Sequence, residues 1–134
     1  MTKILYVILA ILIFGLLIFV HEGGHFLFAR LFKVSVKEFA IGMGPKIFSK
    51  TSKKSGIAYS LRLFPIGGFV SMEGEDEDSD DPNAFNKKPV WQRIIIVAAG
   101  AATNIILGML VMSILVFNSD ILGSTIVAEI KEGT

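Results

Sequence analysis

From Ile4 to Val20 the chain runs without one charged side chain. At a rise of about 1.5 Å per residue such a run extends roughly 25 Å as a helix. The apolar pattern continues past His21–His25 through Phe26–Ala29 to Arg30. Together these residues are long enough to cross a hydrocarbon core of about 30 Å. A second run, Ile94 to Phe117, has the same character, and Trp91 and Arg93 before it suit the headgroup level. Both runs predict transmembrane helices in a chain of 134 residues that is 52% hydrophobic. A secretory signal peptide is the alternative for the first run, since Lys3 precedes it. The run is longer than a typical signal core, and no small-residue cleavage site follows.

Charge sets the expected orientation. All 13 basic residues except Lys3 and Lys131 lie between Arg30 and Arg93. The positive-inside rule puts that segment in the cytoplasm and both termini outside, in the cell membrane. A net charge of +1 gives no reason to expect nucleic acid. There is no cysteine, so disulfides, iron–sulfur clusters and thiolate metal sites are excluded.

The segment between the runs carries strand signals. Ile57, Tyr59, Leu61 and Leu63 alternate with Ala58, Ser60 and Arg62. Lys53–Gly56 reads as a turn, with Lys46–Thr51 as the partner strand. Pro65, Gly67 and Gly68 interrupt, and Phe69–Met72 is a candidate for another short strand. The expectation is a small antiparallel sheet beside the membrane. Glu73 to Asp81 reads as a solvated acidic loop that like charges keep extended. It lacks the ligand spacing and glycine of an EF-hand. Thr125–Ile130 reads as one strand, too little for a domain by itself.

The chemistry lies in the first run. His21 and His25 are four residues apart, so on a helix they share a face. Two imidazoles so placed can meet one zinc ion. Glu22, beside the first, can take a proton from zinc-activated water and pass it to a leaving amine. His-Glu-x-x-His is therefore a metalloprotease signature. Ionisable residues inside a membrane span are costly, which favours a functional reading. The plainer alternative ends the helix at Val20 and leaves His21, Glu22 and His25 in headgroup water. Gly23 and Gly24 leave room for a substrate backbone or, equally, for helix–helix contact. With about 25 Å of helix before it, the motif lies near the cytoplasmic end, where water has access.

The chain resembles the bacterial site-2 protease family, intramembrane zinc metalloproteases with an extracytoplasmic PDZ domain. The resemblance rests on HEGGH in the first span and on Phe64–Val70, similar to the glycine-bearing strand of the family's β segment. Phe85–Arg93 is similar to the approach to the second core helix. Gly100–Asn104 resembles a G-x-x-x-N motif, with Ala101 where a proline is frequent. Gly123–Thr134 is similar to the first PDZ strand.

The fold implied is membrane α-helical. Residues 1–32 form the first transmembrane helix and 33–88 the cytoplasmic β segment with its acidic loop. Residues 89–118 form the second transmembrane helix, and 119–134 begin a PDZ-like domain. The resemblance implies cleavage of membrane-anchored proteins within or near their transmembrane segments, as in regulated intramembrane proteolysis. Anti-sigma factors or remnant signal peptides are typical substrates. His21 and His25 would hold Zn2+ and Glu22 would be catalytic. Gly100, Asn104, Gly67 and Gly68 would position substrate, with the sheet receiving it as an added strand. The family's third zinc ligand is an aspartate on a later helix, absent from these residues. The chain alone is therefore expected to bind zinc weakly and to be inactive. A non-catalytic module holding transmembrane partners is the alternative.

Overall fold

The computed structural model describes residues 2–119, so the expected strand Thr125–Ile130 and the PDZ-like start lie outside the described residues. The elements, in order, are helix α1 (Thr2–Leu31), strands β1 (Val36–Thr51) and β2 (Ala58–Met72), a single 3-10 turn Phe85–Lys87, and helix α2 (Val90–Asn118). Both helices are long and apolar enough to cross a membrane. Two compact units divide the chain, residues 2–104 and residues 105 onward. In the second, the described residues continue as helix, with Ser113 Oγ donating to Met109 O at 2.8 Å and Asn118 Nδ2 to Ile114 O at 2.8 Å.

Helix α1 runs straight through His21–His25, so it does not end at Val20. Its end is capped by the backbone. Val34 N donates to Ala29 O at 2.8 Å and Lys33 N to Arg30 O at 3.1 Å. This is the Schellman arrangement, in which a left-handed residue satisfies the last carbonyls. Here that residue is Lys33, with φ 56°. The apolar contact that accompanies the motif joins Ala29 and Val34, both fully buried. Pro89 opens α2, where its missing N–H is no loss, and its carbonyl accepts from Gln92 N at 3.0 Å.

The sheet is longer than its sequence signals. β1 begins at Val36, ahead of the predicted Lys46–Thr51, and β2 runs on through Pro65, Gly67 and Gly68. Both strands bend. Val36–Ile41 pairs antiparallel with Gly68–Met72, and Phe48–Thr51 pairs antiparallel with Ala58–Leu61. Glu38–Ile41 also faces Ala58–Leu61, with the residue numbers rising together. The segment Glu38–Ile41, near the start of β1, is thus flanked on both edges. Phe39 and Ala40, which point to opposite faces, are both buried, Phe39 against the rings of Phe19 and Phe26.

The sheet packs on α1 through Phe39, whose ring meets Phe26 at 5.4 Å and Phe19 at 6.0 Å. Ala29, Val34, Ile57, Val70 and Met72 join Ile96 of α2 in one core. Burying a side chain of this size is worth about 1.5–3 kcal/mol. This core fixes the end of α1 against the start of α2.

The acidic segment differs from the extended loop its charges predict. Asp81 accepts from Ser35 Oγ at 2.8 Å and from Asn83 N at 2.8 Å. Ser35 O accepts from Glu73 N at 2.8 Å, and Glu73 O from Phe85 N at 2.7 Å. These bonds close the segment at both ends. The hydrogen bond from Asn83 N and that from Ser35 hold the Asp81 carboxyl below its ordinary range.

Candidate metal site

The histidines of α1 face α2 across a narrow seam. Gly24 makes the approach close: a methyl there would sit 2.6 Å from Ala99 O and 2.6 Å from Thr103 Oγ1. Thr103 Oγ1 lies 3.1 Å from Val20 O and 2.9 Å from Gly100 O, sharing its one proton across the seam. His21 and His25 stack edge to face, with ring centroids 4.9 Å apart.

Their Nε2 atoms converge on Gly100. A methyl at Gly100 would sit 2.7 Å from His21 Nε2, and His25 Nε2 would be closer still. Glycine therefore leaves open the space that both nitrogens face. His25 Nδ1 donates to Ile96 O at 2.7 Å. A carbonyl is an acceptor only, so the proton of a neutral His25 lies on Nδ1 and the Nε2 lone pair is free. This arrangement fits a zinc ion, whose imidazole ligands carry such second partners. Among the described residues no three His, Cys, Asp or Glu side chains come together as a metal-binding group.

Glu22 turns toward β2. A methyl at Gly68 would stand 3.0 Å from Glu22 Cγ and 2.8 Å from Ala40 O, so only glycine lets the strand pass this carboxylate. Two clefts of about 300 and 290 Å³ meet at Glu22. One is lined by His25, Gly68, Phe69 and Glu75, the other by His21, Gly67, Gly68 and Asn104. Gly67 adopts φ 74°, a left-handed conformation that favours glycine. Asn104 Nδ2 is 3.5 Å from His21 Nδ1. His21, Glu22, His25, Gly67, Gly68, Gly100 and Asn104 thus gather around one place. A further cavity of about 490 Å³, lined by Phe85, Val90, Ile94 and Val97, is mostly apolar and holds none of these residues.

Three contributors escape a reading of the sequence. The Ile96 carbonyl has no side-chain signature. Thr103 looks like an ordinary small helix residue. Glu75 is hidden in the acidic run, yet it stands at the exposed rim of the cleft, with Met72 N donating to its Oε2 at 3.3 Å. Partial burial raises its carboxyl, as do Asp76 and Glu22, against the opposing effects of the Met72 hydrogen bond and His25.

Known proteins share this chain's pattern. Residues 9–133 match the family model described as Peptidase family M50. A protein of Fusobacterium nucleatum named as a candidate zinc metalloprotease is 47% identical over 105 residues, which is 78% of this chain and 30% of that relative. Another so named, from Clostridium acetobutylicum, is 49% identical over 108 residues, 81% of this chain and 31% of its own length. A candidate membrane metalloprotease of Arabidopsis thaliana, named as chloroplastic, is 46% identical over 94 residues, 67% of this chain and 21% of its own. The chain therefore spans under a third of the length of these relatives. It belongs to peptidase family M50, the site-2 protease family of zinc metalloproteases.

Proposed function

We propose that the chain crosses a membrane twice and contributes two zinc ligands and the general base of an intramembrane endopeptidase. The observation that carries this reading is the convergence of His21 Nε2 and His25 Nε2 on the space Gly100 leaves, with His25 held by Ile96 O. Zinc, when bound, supplies Lewis acidity that polarises a carbonyl and acidifies water. Glu22 would be the group that accepts a proton from water in the cleft and passes it to the leaving amine. The third ligand is assigned to a later helix, outside these residues.

A membrane setting accounts for the surface. Ile4 to Leu17 leaves its large apolar side chains exposed, a patch water does not tolerate. At the far end of the sheet Met43, Ile47, Phe48, Leu63, Phe64 and Ile66 are exposed too, which suits a sheet resting on lipid. The basic residues place 33–88 in the cytoplasm and both termini outside. Residues 119–134 are assigned to the start of a PDZ-like domain.

Substrates are taken to be membrane-anchored proteins, such as anti-sigma factors or remnant signal peptides, cut in regulated intramembrane proteolysis. A protease acts on extended backbone, so a transmembrane helix must unwind first. The Gly67–Met72 segment of β2 offers the means. Gly68–Met72 pairs with β1 along one edge, and no strand pairs with its other edge among the described residues. An unwound substrate adds there as a strand, beside Glu22.

The lack of a third ligand among the described residues favours a second reading, a non-catalytic module that holds transmembrane partners. Glu22→Ala in the full-length protein separates the two. Cleavage of a membrane-anchored substrate falls by about 10²–10⁴ with insertion intact, as for loss of a general base. Undiminished cleavage overturns the protease reading.

A further inference from the structure

Ile96, Gly100 and Asn104 follow one another at intervals of four, so they share one face of α2. That face meets His21 and His25. Gly100 at its centre leaves room for both Nε2 atoms. Ile96 at one end supplies the carbonyl that fixes His25. Asn104 at the other end sets its amide 3.5 Å from His21 Nδ1.

The chemistry of the ring decides which amide atom belongs there. If His21 ligates through Nε2, as the proposed function holds, that nitrogen carries no proton and Nδ1 does. Its partner must then accept. The Asn104 amide has one acceptor, Oδ1, and a half-turn exchanges Oδ1 with Nδ2. As placed, Oδ1 is buried without a hydrogen-bond partner. The half-turn gives that oxygen the His21 Nδ1–H.

We infer that Asn104 is a positioning residue for the metal site. Its Oδ1 accepts from His21 Nδ1 and aims Nε2 at the metal, as the Ile96 carbonyl does for His25. One face of α2 therefore orients both imidazoles of α1. This role precedes substrate, which separates it from a contact with the substrate backbone.

Zinc affinity of the purified full-length protein, measured by competition with a chromophoric chelator, tests the inference. Asn104→Leu lowers affinity about 10–100-fold, the usual effect of losing a ligand's second partner. Asn104→Asp keeps an acceptor oxygen and restores affinity to within a few-fold. If Asn104→Leu leaves zinc affinity unchanged and only raises KM, Asn104 serves substrate and the inference fails. If Asn104→Asp and Asn104→Leu lose zinc equally, the role is packing and the inference again fails. His21→Ala checks the underlying reading separately: unchanged zinc affinity in that variant removes His21 as a ligand, whatever Asn104 does. A measurement independent of variant folding uses the unsubstituted full-length protein, with the His21 signal assigned by its loss in His21→Ala. In the metal-free protein, 15N-histidine NMR shows His21 protonated on Nδ1. A proton on Nε2 overturns the inference.

Discussion

The Glu38 cluster in the sheet and the histidine seam between the helices both hold polar side chains within packed structure, on different terms. Glu38 Oε1 accepts from Ser60 Oγ, from Arg62 Nη2 at 3.1 Å and from Lys46 Nζ at 3.3 Å. Arg62 Nη1 reaches Gly44 O at 2.8 Å, and its guanidinium lies 4.9 Å from the centre of the Phe69 ring. Each charge has an opposite charge, and of the guanidinium nitrogens only Nε lacks a partner. In the seam, Asn104 Oδ1 lacks one as well, and both Nε2 atoms face a space kept open by Gly100. Buried polar groups are normally satisfied, because an unmet one costs about 1–3 kcal/mol. In the sheet the charges meet one another and stabilise it, with Arg62 Nε alone unmet. A network left open at both imidazoles, in a family of zinc proteases, is what supports the proposed metal site.

The largest expected effect breaks the seam at its centre. Gly100→Ala places a methyl against both Nε2 atoms. Zinc affinity and proteolysis of the full-length protein fall at least about 100-fold, the upper range for disturbing a ligand's surroundings. Overpacking adds a stability loss of about 1–3 kcal/mol. Ala101→Val, exposed one residue along, leaves zinc affinity unchanged. Full zinc affinity in Gly100→Ala, measured by chelator competition, shows that the metal sits elsewhere.

The difference between the regions also explains what the sequence disclosed. Both helices follow from uncharged length, and the face shared by His21 and His25 follows from a four-residue spacing. The Ile57–Leu63 stretch shows its alternation because its two faces differ, although it is the apolar Tyr59, Leu61 and Leu63 that are exposed and Ser60 that is buried. Val36–Ile41 does not. There Phe39 packs on α1 while Ala40 on the opposite face is buried too, so both faces carry buried apolar residues and the period of two disappears. The acidic run reads as solvated because its ties, Ser35 with Asp81 and Ser35 with Glu73, join residues far apart in the chain. The partner of His25 is a main-chain carbonyl, which no side-chain pattern records.

A second prediction opens the sheet network instead. Ser60→Ala or Glu38→Gln costs about 1.5–3 kcal/mol, the range for hydrogen bonds to charged groups. Zinc affinity stays as it was. The pH dependence has a definite sign. Burial raises the Glu38 carboxyl, but the hydrogen bonds from Ser60, Lys46 and Arg62 outweigh it and hold the group below its ordinary 4.5. The stability it supplies is complete above that value and is lost as pH falls through the lower folded value. Denaturation of Glu38→Gln should therefore lose this acid-side dependence. An unchanged acid profile would assign the instability to another carboxylate.

The smallest effect lies at Glu75, on the rim of the cleft that Glu22 and His25 also line. Its carboxyl is raised by partial burial and by Asp76 and Glu22, against the Met72 hydrogen bond and His25. The sign is opposite to that of Glu38. A raised carboxyl binds its proton more firmly when folded, so the folded state weakens as pH rises from about 4.5 through the folded value. Glu75→Gln removes that weakening. The variant should gain stability over the unsubstituted protein between acid and neutral pH, within about 0.5 kcal/mol, the usual range for surface changes. Thermal unfolding across that interval, on metal-free protein, reads the difference. A gain confined to neutral pH fits a carboxyl raised by partial burial first, and by Asp76 and Glu22 after it. A loss there instead means that the hydrogen bond from Met72 N lowers the carboxyl more than burial raises it, and that bond then holds the acidic segment.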